Sequence, residues 1–173
     1  APVVEVLDGD TVVLRSNLGP RIVRLIGIDT PEVAHPEKGR EPFGPQASAF
    51  TKELLPPGTD VRVELDLETE DAHGRLLAYL YVADADGGWE VGGRRYAMVN
   101  LEIARSGWPT ALTIPPDDLY ADLVEAAVAE ARRAGRGMFA PPDPPVEAGE
   151  AGDVFGGADP AEAGAPIRIA CVN

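Results

Sequence analysis

The chain has 173 residues, with 15 Lys+Arg against 29 Asp+Glu, a formal charge of -14 and a pI near 4.4. At 45% hydrophobic and 25% charged residues it has the composition of an ordinary globular domain, and it contains no run of about 18 apolar residues to cross a membrane. The acid excess argues against a nucleic-acid binder that works through a broad basic face, and a single cysteine, Cys171, excludes an internal disulfide and a cysteine-based zinc site.

In chain order, Val3 to Val6 and Thr11 to Arg15 read as β-strands flanking an Asp8-Gly9-Asp10 turn. Arg21 to Ile28 reads as a third strand, apolar almost throughout except at Arg24. Pro45 to Leu55 predicts a helix with proline in its first turn, stopped at Pro56-Pro57. Asp60 to Leu67 alternates Val61, Val63 and Leu65 with Arg62 and Glu64, a strand period. Arg75 to Val82 predicts the fifth strand, and Glu90 to Tyr96 a hairpin arm turning at Gly92-Gly93. Val99 to Ser106 predicts a helix capped by Gly107. Asp118 to Ala134 predicts another, with Leu119, Leu123, Ala127, Val128 and Ala131 on one face. Five strands with a helix between the third and fourth predict a mainly β fold with helices: a five-stranded OB-fold barrel with three α-helices.

Residues 1–139 are expected to form that domain and 140–173 a disordered, acidic, Pro/Gly-rich tail. From Ala140 to Pro166 there are six Pro, five Gly, six acidic residues and no basic ones, too little apolar surface to offset ordering entropy. Ile167 to Val172 turns strand-like and reads as the start of a truncated second domain. The tail holds -5 of the net charge, leaving -9 on the body.

Four stretches carry the chemistry: Asp8 to Thr11, Arg24 to Glu32, Phe43 to Ala47, and Asp71 to Tyr79. Each alone has a bland reading as a turn or strand end. Arg24 is the hardest to dismiss, because arginine inside an apolar strand needs an anionic partner. Together the stretches fit one reaction. Oxygen ligands such as Asp10, Asp29 and the Thr30 carbonyl suit Ca²⁺ or Mg²⁺ rather than zinc. Glu32 could act as a general base through a water, and Arg24 and Arg75 could grip a phosphate and neutralise charge in its transition state. That set describes metal-assisted phosphodiester hydrolysis.

In these stretches, and in His35-Pro36, Gly39, Ser48 to Lys52 and the helix from Asn100 to Gly107, the sequence resembles the thermonuclease family, the staphylococcal-nuclease-like domains. The resemblance runs from about Val3 to Phe139. It implies an OB-fold domain that binds one Ca²⁺ and cleaves DNA and RNA to 3′-phosphate ends. By that resemblance Asp10 and Asp29 are the calcium carboxylates, Thr30 gives a backbone carbonyl, and Asp8 supports these ligands from behind. Glu32 orients or deprotonates the water, Arg24 and Arg75 clamp the phosphate, and His73 and Lys38 contact substrate.

Three departures from the family pattern bear on substrate. Ala72 and His73 stand where the family has a phosphate-reaching lysine and tyrosine. The nucleotide-pocket tyrosines have no counterpart between Trp108 and Pro116, and Trp108 itself reads as a core residue. Residues 83–95 are longer than usual and predict a protruding arm. The rival reading is a non-catalytic nuclease-like module that binds nucleic acid or protein; the presence of Asp10, Arg24, Asp29, Glu32 and Arg75 together favours the enzyme. A monomer acting on single-stranded or locally unpaired DNA and RNA, secreted or held at the cell surface, completes the expectation. Because the chain is acidic, substrate capture should rest on local arginines and Ca²⁺, with a shallow salt dependence.

Overall fold

A computed structural model describes residues 1–33, 39 and 41–141, which belong to a unit spanning Ala1–Pro141. The readings made for Lys38, His35-Pro36, residues 142–173 and Cys171 lie outside the described residues. Strands β1 (Val3–Asp8), β2 (Thr11–Ser16) and β3 (Gly19–Leu25) form an antiparallel meander. After β4 (Gly27–Asp29) and helix α1 (Gly44–Leu54), strand β5 (Val61–Glu64) pairs antiparallel with β6 (Leu76–Ala83), which also lies parallel to β3. The ladder then closes on itself. Val61 N–H donates to Ala1 O at 3.0 Å, Val3 N–H to Thr59 O at 2.9 Å, and Pro2 bridges Asp60. The five strands β1, β2, β3, β6 and β5 are thus the expected OB-type barrel, and closure leaves none of them with a bare edge along its whole length.

The remaining elements are β7 (Trp89–Val91), β8 (Arg94–Met98), helix α2 (Val99–Ser106), β9 (Thr110–Leu112), helix α3 (Ala121–Arg133) and a 3₁₀ turn at Gly137–Phe139. The core is the barrel interior together with the faces of α2 and α3. Val12, Val23, Leu25, Leu80, Met98, Ile103 and Val124 are all buried. Asn100, wholly buried, joins the layers: its amide nitrogen donates to Ile26 O at 2.9 Å and Ala78 O at 3.2 Å, and its oxygen accepts Leu80 N–H at 3.0 Å.

Several expected boundaries move. The single strand Arg21 to Ile28 is two strands, because Gly27 adopts φ +86° and bends the chain out of the barrel onto β9. The fourth strand stops at Glu64 rather than Leu67; beyond it Asp66 turns to accept Leu119 N–H at 3.1 Å. That contact also holds Leu119 outside α3, which starts at Ala121. Leu119 and Leu123 are about half exposed and Val124 takes the buried place. Trp108 is half-buried rather than core and faces the exposed Phe43, with 6.2 Å between ring centroids. The arm at 83–95 turns at Gly92-Gly93 (φ +60° and +76°) as expected, yet it folds back. Trp89 packs against Tyr81 and Tyr120 at centroid distances of 5.7 and 6.4 Å.

Candidate active site

Strand alternation brings the two arginines together. On β3, Val23 and Leu25 point into the barrel, so Arg24 points out. Thr11 of β2 and Leu77 of β6 are its lateral neighbours. Arg75, two residues before Leu77, shares the same face. On this face lies a cleft of ≈ 470 Å³ lined by Asp8, Asp10, Arg24, Asp29, Glu32 and Arg75, together with Leu7, Thr11 and Val33.

Asp10 is only 6% exposed, which requires its charge to be answered. One carboxylate oxygen accepts Thr30 N–H and Thr30 Oγ1–H, each at 2.8 Å, and lies 3.4 Å from Arg24 Nη2. The other accepts the Thr11 hydroxyl at 3.0 Å. Thr30 is therefore buried directly behind Asp10. The Asp8–Asp10 turn is pinned to α1 by the Thr51 hydroxyl, which donates to Gly9 O at 2.7 Å. Gly9 itself cannot carry a side chain, since a Cβ would stand 2.6 Å from Thr30 Oγ1.

The two arginines are held differently. Arg24 is tied down on every side: Nη1 donates to Leu25 O (2.8 Å) and Ile28 O (2.7 Å), and Nη2 to Asp29 Oδ1 (2.9 Å). Arg75 is anchored by its base alone. Its Nε donates to Asp71 Oδ2 at 2.7 Å and its backbone N–H to Asp71 Oδ1 at 2.9 Å. Among the described residues its Nη nitrogens meet no acceptor, so they face the cleft as free donors. Asp71 also accepts His73 N–H, and these donors hold its carboxyl below the usual range despite partial burial. Asp71 opens the fourth of the sequence stretches, which gives it no role of its own; an Asp opening a turn before Gly74 (φ +74°) is the signal for this one. His73 is exposed and does not line this cleft.

Glu32 lies on the loop after β4, and an overlooked residue, Glu41, holds its backbone. Glu32 N–H donates to Glu41 Oε2 at 3.0 Å, and Glu41 N–H returns to Glu32 O at 3.1 Å. The Glu32 carboxylate accepts no hydrogen bond from another described residue, which leaves it available to a water. Burial raises the Asp29 carboxyl above its ordinary value; Arg24 opposes this, and Asp10, Glu32 and Glu41 add to it. Asp8 is likewise raised, first by burial and then by Asp10 and Glu32, against hydrogen bonds from Gly9 and Val33.

The cleft lining thus carries four carboxylates and two guanidinium groups, an excess of two negative charges. That excess suits a hard divalent cation. Among the described residues no group of three His, Cys, Asp or Glu side chains is placed to hold a metal. Asp10 and Asp29, the two carboxylates expected to hold a cation, both line the cleft, and both are engaged by Arg24.

Fold and cleft define an OB-barrel protein whose outer face carries two arginines and four carboxylates in one cleft. Residues 22–140 match the family model of the staphylococcal nuclease homologues. The chain is 38% identical over 131 residues to the thermonuclease of Staphylococcus intermedius, covering 76% of this chain and 70% of that protein. It is 31% identical over 137 residues to the thermonuclease of Staphylococcus hyicus, covering 79% and 73%. The endonuclease YhcR of Bacillus subtilis (strain 168) shares 32% identity over 150 residues, which is 82% of this chain but 11% of that protein. The chain belongs to the staphylococcal nuclease family.

Proposed function

We propose that the protein is a Ca²⁺-dependent nuclease that hydrolyses DNA and RNA to products with 3′-phosphate ends. The observation that carries this reading is one cleft lined by two guanidinium groups and four carboxylates, in which, among the described residues, the Arg75 Nη donors and the Glu32 carboxylate have no partner. Asp10, Asp29 and the Thr30 carbonyl would hold the cation, which when bound neutralises charge on a phosphoryl oxygen. Asp8 keeps the turn in place through its own hydrogen bonds.

In this mechanism the scissile phosphate sits against Arg75 and Arg24. Glu32 accepts a proton from water as the water oxygen bonds to phosphorus. The P–O5′ bond breaks, the 5′-oxygen leaves and takes a proton from solvent, and the 3′-side keeps the phosphate. The Arg75 Nη donors answer the charge that grows on the equatorial oxygens. Arg24, already bound to backbone carbonyls, offers a rigid and preorganised charge. Because the arginines are local and the rest of the chain is acidic, the preferred substrate is an unpaired strand that reaches the cleft. A monomer at the cell surface or outside the cell suits a calcium-using enzyme.

The test is release of acid-soluble fragments from single-stranded DNA, duplex DNA and RNA in millimolar Ca²⁺, with and without chelator. Chelator-sensitive cleavage is expected. Folded protein that binds these polymers and leaves them intact would refute the enzyme and support a non-catalytic binding module.

A further inference from the structure

A second cavity of ≈ 590 Å³ adjoins the cleft and shares Arg24 and Arg75 with it. Leu25, Ile28, Leu77, Leu112 and Ile114 give its wall an apolar strip that suits a flat uncharged ring, and Glu68, Glu70, Asp71 and Asp117 line it as well. Of these acids Asp117 alone is buried. It is 5% exposed, one carboxylate oxygen accepts Glu68 N–H at 2.8 Å, and among the described residues the other oxygen has no partner. That second oxygen is not sealed off from solvent, and Asp117 lines the cavity. A buried carboxylate with an open acceptor is costly unless a donor reaches it.

We infer that Asp117 reads the base of the bound nucleotide and selects cytosine and adenine over thymine and uracil. The inference rests on the proposed nuclease reading, because a phosphate held by Arg24 and Arg75 carries its nucleoside into this cavity. Cytosine and adenine present an exocyclic amino donor, N4–H or N6–H, where thymine and uracil present the O4 acceptor. An amino group satisfies the open oxygen of Asp117. A carbonyl oxygen there sets acceptor against acceptor, and each such mismatch discriminates about tenfold or more. The apolar side chains supply contact area without choosing among bases.

The experiment is calorimetric binding of dCMP and dUMP, which differ at that one group, to the full chain and to Asp117→Asn. Asn keeps an oxygen for Glu68 N–H and adds a donor that accepts a carbonyl. The wild type is expected to bind dCMP at least about tenfold more tightly than dUMP, and the variant to bind the two within about twofold. Equal affinities in the wild type would overturn the inference without any variant, and so would a preference that Asp117→Asn leaves unchanged. Binding is read apart from cleavage, so the two readings fail separately. A dCMP preference in a protein that cleaves nothing keeps base selection and sinks hydrolysis; an active nuclease with equal affinities does the reverse.

Discussion

Gly44→Ala tests the role of Glu32 without touching a charged group. Gly44 opens α1, and a Cβ built on it would stand 2.7 Å from the Glu32 carbonyl carbon, 3.0 Å from Val33 N and closer still to the Glu32 carbonyl oxygen. All three are backbone atoms, which cannot rotate away. The Glu32–Val33 segment must retreat by roughly 1 Å to reach ordinary contact, and a displacement of that size at a reacting group costs about 10²-fold in rate. Gly44 N–H also donates to Glu41 O at 3.2 Å, so the shift loosens the residue that holds Glu32. Gly44→Ala is therefore expected to lower kcat about 10²-fold at a temperature where it remains folded, with a smaller change in KM. Gly88→Ala is the control, because its Cβ meets nothing within 4 Å. The assay is initial-rate cleavage of a fluorescent single-stranded oligonucleotide, paired with thermal melts. Wild-type kcat in folded Gly44→Ala would refute the assignment of Glu32 to the chemistry.

Arg75→Ala should lower kcat by about 10²-fold or more while leaving Tm near wild type, because the free Nη donors act on the transition state and not on the fold. Arg24→Ala should lower both kcat and Tm, because it also strips donors from the Leu25 and Ile28 carbonyls; equal melting behaviour of the two variants would contradict this division. Asp10→Asn should weaken Ca²⁺ binding measured by calorimetry, and unchanged affinity would remove Asp10 from the ligand set. Asp71 has a lowered carboxyl pKa, so its ionised form stabilises the folded state. The stability lost in Asp71→Asn should be full and flat above the unfolded value of 3.8 and shrink as pH falls through the folded one. Denaturant melts across pH read it, and a difference that persists undiminished at the acid end would rule out the charge contribution.

Much of the site was legible because its residue types are unusual where they stand. Arg24 in an apolar strand, and carboxylates clustered around Asp8-Gly9-Asp10 and Asp29 to Glu32, announce themselves by composition and spacing. The barrel was legible because alternation in Val61 to Glu64 and the turn glycines act locally. The partners that make the site work carried no such mark. Asp71, Glu41 and Asp117 are ordinary acids in loops, and only the fold shows which N–H groups they meet. The exposed His73 shows the converse, since its place beside Arg75 in sequence does not put it in the cleft.

The sequence by itself determined the five barrel strands and the three helices in outline, the two-arginine, multi-carboxylate set and the acidic balance, because these depend on residue type and near-neighbour spacing. Tertiary structure decided the rest. The φ of Gly27 splits one apparent strand and carries Asp29 out to meet Arg24, while ladder register sets Arg24 and Arg75 on one face. Which arginine keeps free donors, and which carboxylate keeps an open oxygen, follows from contacts between residues up to dozens of positions apart. Local propensity does not encode such contacts; packing selects them when the barrel closes.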